Sequence, residues 1–259
     1  MLETIEETVP DFLVGCSISS THQPMGFVGF GDTPQSLPSQ LGLTKFSYCL
    51  LSHFFNDTKE STDLILDLDG ELEAKGLSYT PLIPSKSAST GFRFYGYRYV
   101  ILLEIVVGDT HIMIPDKFRV LGPDRNGGTI LDAGSPYYQN VSEAFESQMG
   151  RSARAPDIGV LGSCFQLIPN EVSLYYPPLT LIFEGGAKME LSWIHYLLLD
   201  DRSNSVCLSF ITDNVGGVVL NVGLSGGPSI ILGNCLQQSI YMEFDLENSR
   251  LGFLKQACN

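Results

Sequence analysis

The stretch Gly127-Gly128-Thr129-Ile130-Leu131-Asp132-Ala133-Gly134-Ser135 constrains this chain most. A short apolar run ends on a carboxylate, and small residues follow at once. Three β-favouring residues read as a strand. The Ala-Gly-Ser that follows cannot extend the strand usefully and favours a tight turn. The pattern predicts a buried strand running into a loop that holds Asp132 at its tip. Asp-x-Gly marks many ordinary turns, so the rest of the chain must say what this loop is for.

The surroundings are those of a β protein. The 259 residues are 44% hydrophobic, enough for one large or two modest domains. Short apolar runs are punctuated by 26 Gly and 14 Pro, the signature of many turns. Strands are expected at Gly26 to Gly31, Phe46 to Leu50, Leu64 to Leu66, Tyr97 to Val107, His111 to Ile114, Leu179 to Phe183 and Val206 to Ile211. Ile240, Met242 and Phe244 alternate with polar neighbours, and Leu251 and Phe253 alternate on the return. That is a hairpin turning at Glu247-Asn248-Ser249. Helices are expected at Gln35 to Leu41, with Pro38 near the first turn, and at Val141 to Arg151, capped by Asn140. His53 to Ser61 reads as a linker. No βαβ rhythm appears, which argues against a parallel α/β sheet.

Charge and composition exclude several functions. The formal net charge of −14 repels nucleic acid and anionic membranes. No run of about 20 apolar residues is present to span a bilayer. The acidic start, Met1 to Glu7, is not a signal peptide, which needs a basic and then an apolar stretch. The six Cys, at 16, 49, 164, 207, 235 and 258, form no Cys-x-x-Cys pair. Their wide spacing suits long-range disulfides of a secreted protein better than zinc or dithiol chemistry. The sequons at Asn56 and Asn140 agree with that. His22, His53, His111 and His195 have no metal-ligand spacing, so no metal is expected, and nothing in the chain implies an organic cofactor. Gly223-Leu224-Ser225-Gly226-Gly227 fits the nucleophile-elbow pattern, but Pro228 and a β run follow it and the last His lies upstream. It reads as a glycine-rich turn. Asp67-Leu68-Asp69-Gly70 fails the calcium-loop pattern.

Motifs along nearly the whole chain resemble the nepenthesin-like plant branch of the pepsin-type aspartic proteases. They include Phe12-Leu13-Val14-Gly15-Cys16-Ser17, Gly29-Phe30-Gly31, Ser36 to Leu41 and Lys45 to Leu50. Tyr79-Thr80-Pro81-Leu82, Ile105 to Gly108, Gly127 to Ser135, Ile231-Leu232-Gly233-Asn234 and Leu251-Gly252-Phe253 continue the match. The resemblance implies a mainly β, pepsin-like fold of two lobes with a substrate cleft between them. Residues 1–52 match the tail of the first lobe and 53–259 the second, peptidase lobe. The family's signal peptide, its first Asp-Thr-Gly-Ser loop and its flap have no counterpart here. Asp32-Thr33-Pro34 lacks the Gly and is no substitute.

By the same resemblance Asp132 is the second member of a water-activating carboxylate dyad. Gly134 and Ser135 shape its loop, and Ile231, Leu232 and Gly233 support it from behind. Tyr137 and Tyr138 are candidates for lining the cleft, with core packing the competing reading. Two disulfides are implied, Cys49 with Cys258 and Cys164 with Cys207, leaving Cys16 and Cys235 free. Gly26 to Gly31, which would brace the first catalytic loop, becomes an orphan strand, exposed and prone to self-association. Residues 1–52 are then the least protected part. The partner implied is a peptide or protein substrate, and the compartment extracellular or vacuolar.

One departure stands at the site itself. The family has Ser or Thr after this Asp, with a hydroxyl that bonds across to the other loop; here the residue is Ala133. Losing one such bond costs about 1 kcal/mol. The missing partner matters more. Two carboxyls about 3 Å apart cannot both ionise, so one stays an acid while the other acts as base. A lone solvated Asp, with a pKa near about 3.9, is simply ionised in mild acid. The chain as it stands therefore reads as an inactive half of an aspartic endopeptidase. The alternatives are a non-catalytic binding or inhibitor-like relative, and a homodimer contributing one Asp per chain.

Overall fold

The structure is a computed structural model. It describes residues 8–16, 19, 26–52, 60–67, 75–83, 96–120, 122, 127–133, 154–158, 161, 163–167, 176–200, 202–209, 214–215, 218–219 and 228–258. The expected helix over 141–151, the 53–61 linker, the 223–227 turn and both sequons lie wholly or largely outside these residues.

Antiparallel sheets dominate. The largest has five strands in the order Leu64–Asp67, Lys45–Cys49, Ile240–Asp245, Arg250–Lys255, Ser78–Pro81. A four-stranded sheet runs Lys188–Leu191, Leu179–Phe183, Leu102–Val107, Thr110–Met113, and another runs Leu197–Asp200, Ser205–Leu208, Cys164–Gln166, Arg154–Ala155. Alternation explains the faces. Leu179, Leu181 and Phe183 are buried while Thr180 and Ile182 between them are half-buried. Met189 and Leu191 are buried between exposed Lys188 and Glu190. Side chains of period two can bury one face without exposing backbone.

The C-terminal hairpin is closed by a buried carboxylate. Asp245 accepts from the Asn248 backbone N–H at 3.1 Å and from Arg250 Nε at 2.7 Å. Burial alone would raise its pKa, but the bonds from Asn248 and Arg250 outweigh it, so the carboxyl titrates below its ordinary value.

Both disulfides exist as the resemblance implied. Cys164 and Cys207 face each other across paired strands, and Cys49 at the end of its strand joins Cys258. Cys16 is free and exposed, and Cys235 is free and half-buried.

The described residues before 53 behave in two ways. Gly26 to Gly31 forms no strand, contrary to its apolar pattern. A strand needs a ladder partner, and among the described residues none lies beside Gly26 to Val28. Phe27 is 81% and Val28 69% exposed. The next residues are anchored. The Arg98 guanidinium donates to the Phe30 and Gly31 carbonyls. Gly31 lies so close to Gly96 that a Cβ there would collide with the Gly96 carbonyl. Leu37–Leu41 then forms the expected helix, capped by the Ser36 hydroxyl and ended by left-handed Gly42.

His195 sets a pH dependence. It is 1% exposed, and the Ser192 N–H donates to its Nδ1. Burial lowers its pKa below the ordinary 6.5, against the Ser192 and Gln238 backbone bonds that raise it; Lys255 lowers it further. A buried base with a depressed pKa resists protonation. Its contribution to stability is therefore complete above about pH 6.5 and is lost as pH falls through the folded-state pKa. Urea midpoints at pH 7 and 5 check this. The wild type should lose more stability across that interval than His195→Gln, and equal losses would remove His195 from the account.

Candidate active site

The Thr129–Leu131 strand runs through the core, with Thr129 and Ile130 fully buried. It pairs in parallel with Ile230–Leu232, in the register Ile230 to Thr129 and Leu232 to Leu131. Tyr99–Val100 pairs with its other edge. The chain turns immediately after Leu131. The Asp132 N–H donates to the Leu232 carbonyl at 3.1 Å, so the strand pair holds this residue's backbone just as its side chain leaves the sheet. Asp132 is half-buried and Ala133 exposed.

The next support comes from the short helix Asn234–Gln237, which starts directly after Gly233. Asn234 Nδ2 donates to the Ala133 carbonyl at 3.2 Å, and Gln238 Nε2 donates to Asn234 Oδ1 at 2.9 Å. Gln237 Nε2 donates to the Leu232 carbonyl at 2.7 Å.

Asp132 opens into a pocket of about 790 Å³, which is lined also by Phe27, Val28, Phe46, Tyr48 and Tyr97. The pocket is mostly apolar, with Asp63 a second carboxylate on its wall. Arg98 lines it too, but its guanidinium is engaged by the Phe30 and Gly31 carbonyls and lies 3.7 Å from Asp32. Burial raises the Tyr48 phenol well above its ordinary value, and the Asp132 carboxylate adds to the rise. Tyr97 is raised by the same two causes in the same order. Both phenols therefore stay protonated over any acidic or neutral working range.

Of the residues expected at the site, Asp132, Ile231, Leu232 and Gly233 come together as one turn and its brace. Gly134, Ser135, Tyr137 and Tyr138 lie outside the described residues. Tyr48, Arg98 and Gln237 were not anticipated, and Asn234 entered only as the end of the motif Ile231-Leu232-Gly233-Asn234, with no role given to it. The sequence signal for the two amides is their place within four residues of that apolar-Gly segment. No group of His, Cys, Asp or Glu among the described residues could hold a metal ion, and no helix among them is long and apolar enough to cross a membrane.

A mainly antiparallel β fold with an Asp at a strand-end turn, braced by a parallel apolar strand, defines a pepsin-like lobe. Residues 97–255 match the family model "Xylanase inhibitor C-terminal". Aspartic proteinase nepenthesin-1 of Nepenthes gracilis is 30% identical over 263 residues, 97% of this chain and 55% of the relative. Nepenthesin-2 of the same plant is 29% identical, with the same coverage. The chain spans little more than half the length of these relatives. Among solved structures, EDGP superposes with a TM-score of 0.67 at 21% identity, covering 90% of this chain and 60% of EDGP. Conglutin gamma, a basic 7S globulin from lupine seeds, gives 0.64 at 22%, covering 89% and 57%. The chain belongs to the pepsin-type aspartic protease family, in its nepenthesin-like plant branch, and carries that family's xylanase inhibitor C-terminal domain.

Proposed function

We propose that this chain is the second-lobe half of an aspartic endopeptidase, with residues 1–52 the tail of the first lobe, and that by itself it cleaves no peptide bond. The observation that carries this reading is the Asp132 turn, held at the backbone by Leu232 and open to a pocket. In a complete site Asp132 would share one proton with a second carboxylate across the cleft and activate a water for attack on a peptide carbonyl. Gly134 and Ser135 would shape the loop, and Tyr137 and Tyr138 would line the cleft. The 259 residues contain no Asp-Thr-Gly triplet to supply the partner. The two long-range disulfides favour an oxidising compartment, extracellular or vacuolar.

Ala133 favours a second reading, a non-catalytic binding relative. Its methyl cannot make the hydroxyl bond that locks the paired loops in the family. A further consequence concerns association. Phe27, Val28 and Leu64 are exposed around the pocket, so this face is expected to drive self-association of the isolated chain.

One set of measurements tests all three. The purified chain is assayed at pH 3–5 on acid-denatured casein and followed by sedimentation. It is then co-refolded with the first-lobe half of nepenthesin-1. Proteolysis in the co-refolded complex that vanishes in Asp132→Asn supports the endopeptidase reading. A stable complex without proteolysis favours the binding reading. Proteolysis by the chain alone, carried by a sedimenting dimer, would show that two copies share their Asp132 residues.

A further inference from the structure

Gln237 is buried, 1% exposed, and has both ends of its amide engaged. Its Nε2 donates to the Leu232 carbonyl at 2.7 Å, and its Oε1 accepts from the Tyr48 hydroxyl. The Leu232 carbonyl is the oxygen that also accepts the Asp132 N–H. One carbonyl has two lone pairs, and here both are used. A single chain of bonds runs from a phenol to a side-chain amide to a carbonyl to the Asp132 peptide.

The ends of this chain belong to different parts of the fold. Tyr48 lies on Lys45–Cys49, inside the five-stranded sheet, where it pairs with Met242. Asp132 follows a strand of the three-stranded sheet. The two regions touch again close by. Leu50 bridges Gln238, and the Ser239 N–H donates to the Leu50 carbonyl at 2.8 Å. Buried amides with both ends satisfied have one geometry available, since any rotation leaves polar atoms unpaired.

We propose that Gln237 and Tyr48 are positioning residues for Asp132, transmitting the placement of the five-stranded sheet to the backbone of the catalytic turn. The word catalytic rests on the endopeptidase reading above; the transmission does not. Tyr48 suits the role because its phenol stays protonated and so donates at every pH the protein would meet. Removing it leaves Gln237 Oε1 without its donor. Removing Gln237 leaves the Leu232 carbonyl with one donor and the Tyr48 hydroxyl without an acceptor.

The test is site-resolved amide hydrogen exchange on the full chain. Five proteins are compared: wild type, Gln237→Leu, Tyr48→Phe, the double variant of these two, and Tyr241→Phe. Tyr241→Phe removes a phenol from the same sheet that bonds instead to Ser47 Oγ at 2.8 Å. Exchange at the Asp132 amide should rise about tenfold in Gln237→Leu, the equivalent of one hydrogen bond, and less in Tyr48→Phe. The amides of Ile130, Ile231 and Phe244 should stay near wild type, and Tyr241→Phe should leave Asp132 unchanged. The double variant should exchange no faster at Asp132 than Gln237→Leu, because both side chains act through one carbonyl. Unchanged exchange at Asp132 overturns the proposal. So does an equal rise across both sheets, which would mean general loosening. If Gln237→Leu does not fold, the comparison of Tyr48→Phe with Tyr241→Phe decides alone. These rates do not depend on proteolysis, so failure here and failure of the co-refolded enzyme are distinguishable.

Discussion

Replacing Cys49 and Cys258 together by Ser is expected to lower stability by about 5 kcal/mol. The bridge joins residues 209 apart. In the chain-entropy model a cross-link stabilises by restricting the unfolded chain, more for longer loops, and this loop length corresponds to about 5 kcal/mol. Many domains have only ~5–15 kcal/mol in total, so the variant should sit near its unfolding threshold at 25 °C. The Cys164–Cys207 bridge closes a span of 43 residues, for which the same model gives about 4 kcal/mol. Urea unfolding under non-reducing conditions reads both, and the longer loop should show the larger loss. A loss under ~1 kcal/mol for the Cys49 pair would mean that the unfolded chain is already held compact by other contacts.

Phe46→Ala should cost about 3–5 kcal/mol, the range for deleting a buried aromatic ring. Phe46 is 2% exposed. Its ring stacks on Phe244 with centroids 4.5 Å apart, and Phe30 packs on it at 5.0 Å. The Arg98 guanidinium lies 5.9 Å from its centroid. The ring therefore joins the five-stranded sheet to the segment that Arg98 anchors. Its removal should both destabilise the chain and raise exchange at the Leu37 amide, which bonds to the Gly29 carbonyl. Phe27→Ala makes the contrast. That ring is 81% exposed, and its loss should move the midpoint by less than ~0.5 kcal/mol. Similar losses from the two would show that Phe27 is covered in solution, and so would support association through this face.

Much of the fold was legible because its determinants are local. Period-two alternation at Leu179 to Phe183 and in the C-terminal hairpin marks strands and their buried faces without knowledge of partners. Pro38 near a first turn marked the short helix expected at Gln35 to Leu41, which the structure bounds at Leu37–Leu41 between the Ser36 cap and left-handed Gly42. The Asp132 loop was legible for the same reason: an apolar run that stops on a carboxylate and small residues has few conformations open to it.

Gly26 to Gly31 reads as a strand from its apolar residues, yet forms none, because a ladder requires a second backbone that composition cannot report. Tyr48 and Gln237, 189 residues apart, meet only because the Lys45–Cys49 strand pairs with Ile240–Asp245, next to the helix that carries the amide. Arg98 becomes an anchor only where the fold brings two carbonyls to it. By itself the sequence determined many of the strands, the turn that presents Asp132 and the family these motifs belong to; the expected strand Tyr97 to Val107 is in fact two, Tyr99–Val100 and Leu102–Val107, in different sheets. Tertiary structure alone decided that Gly26 to Val28 has no ladder partner among the described residues, and which side-chain amides bond the Leu232 and Ala133 carbonyls on either side of Asp132. Those outcomes depend on contacts between residues far apart in the chain, and local patterning does not encode them.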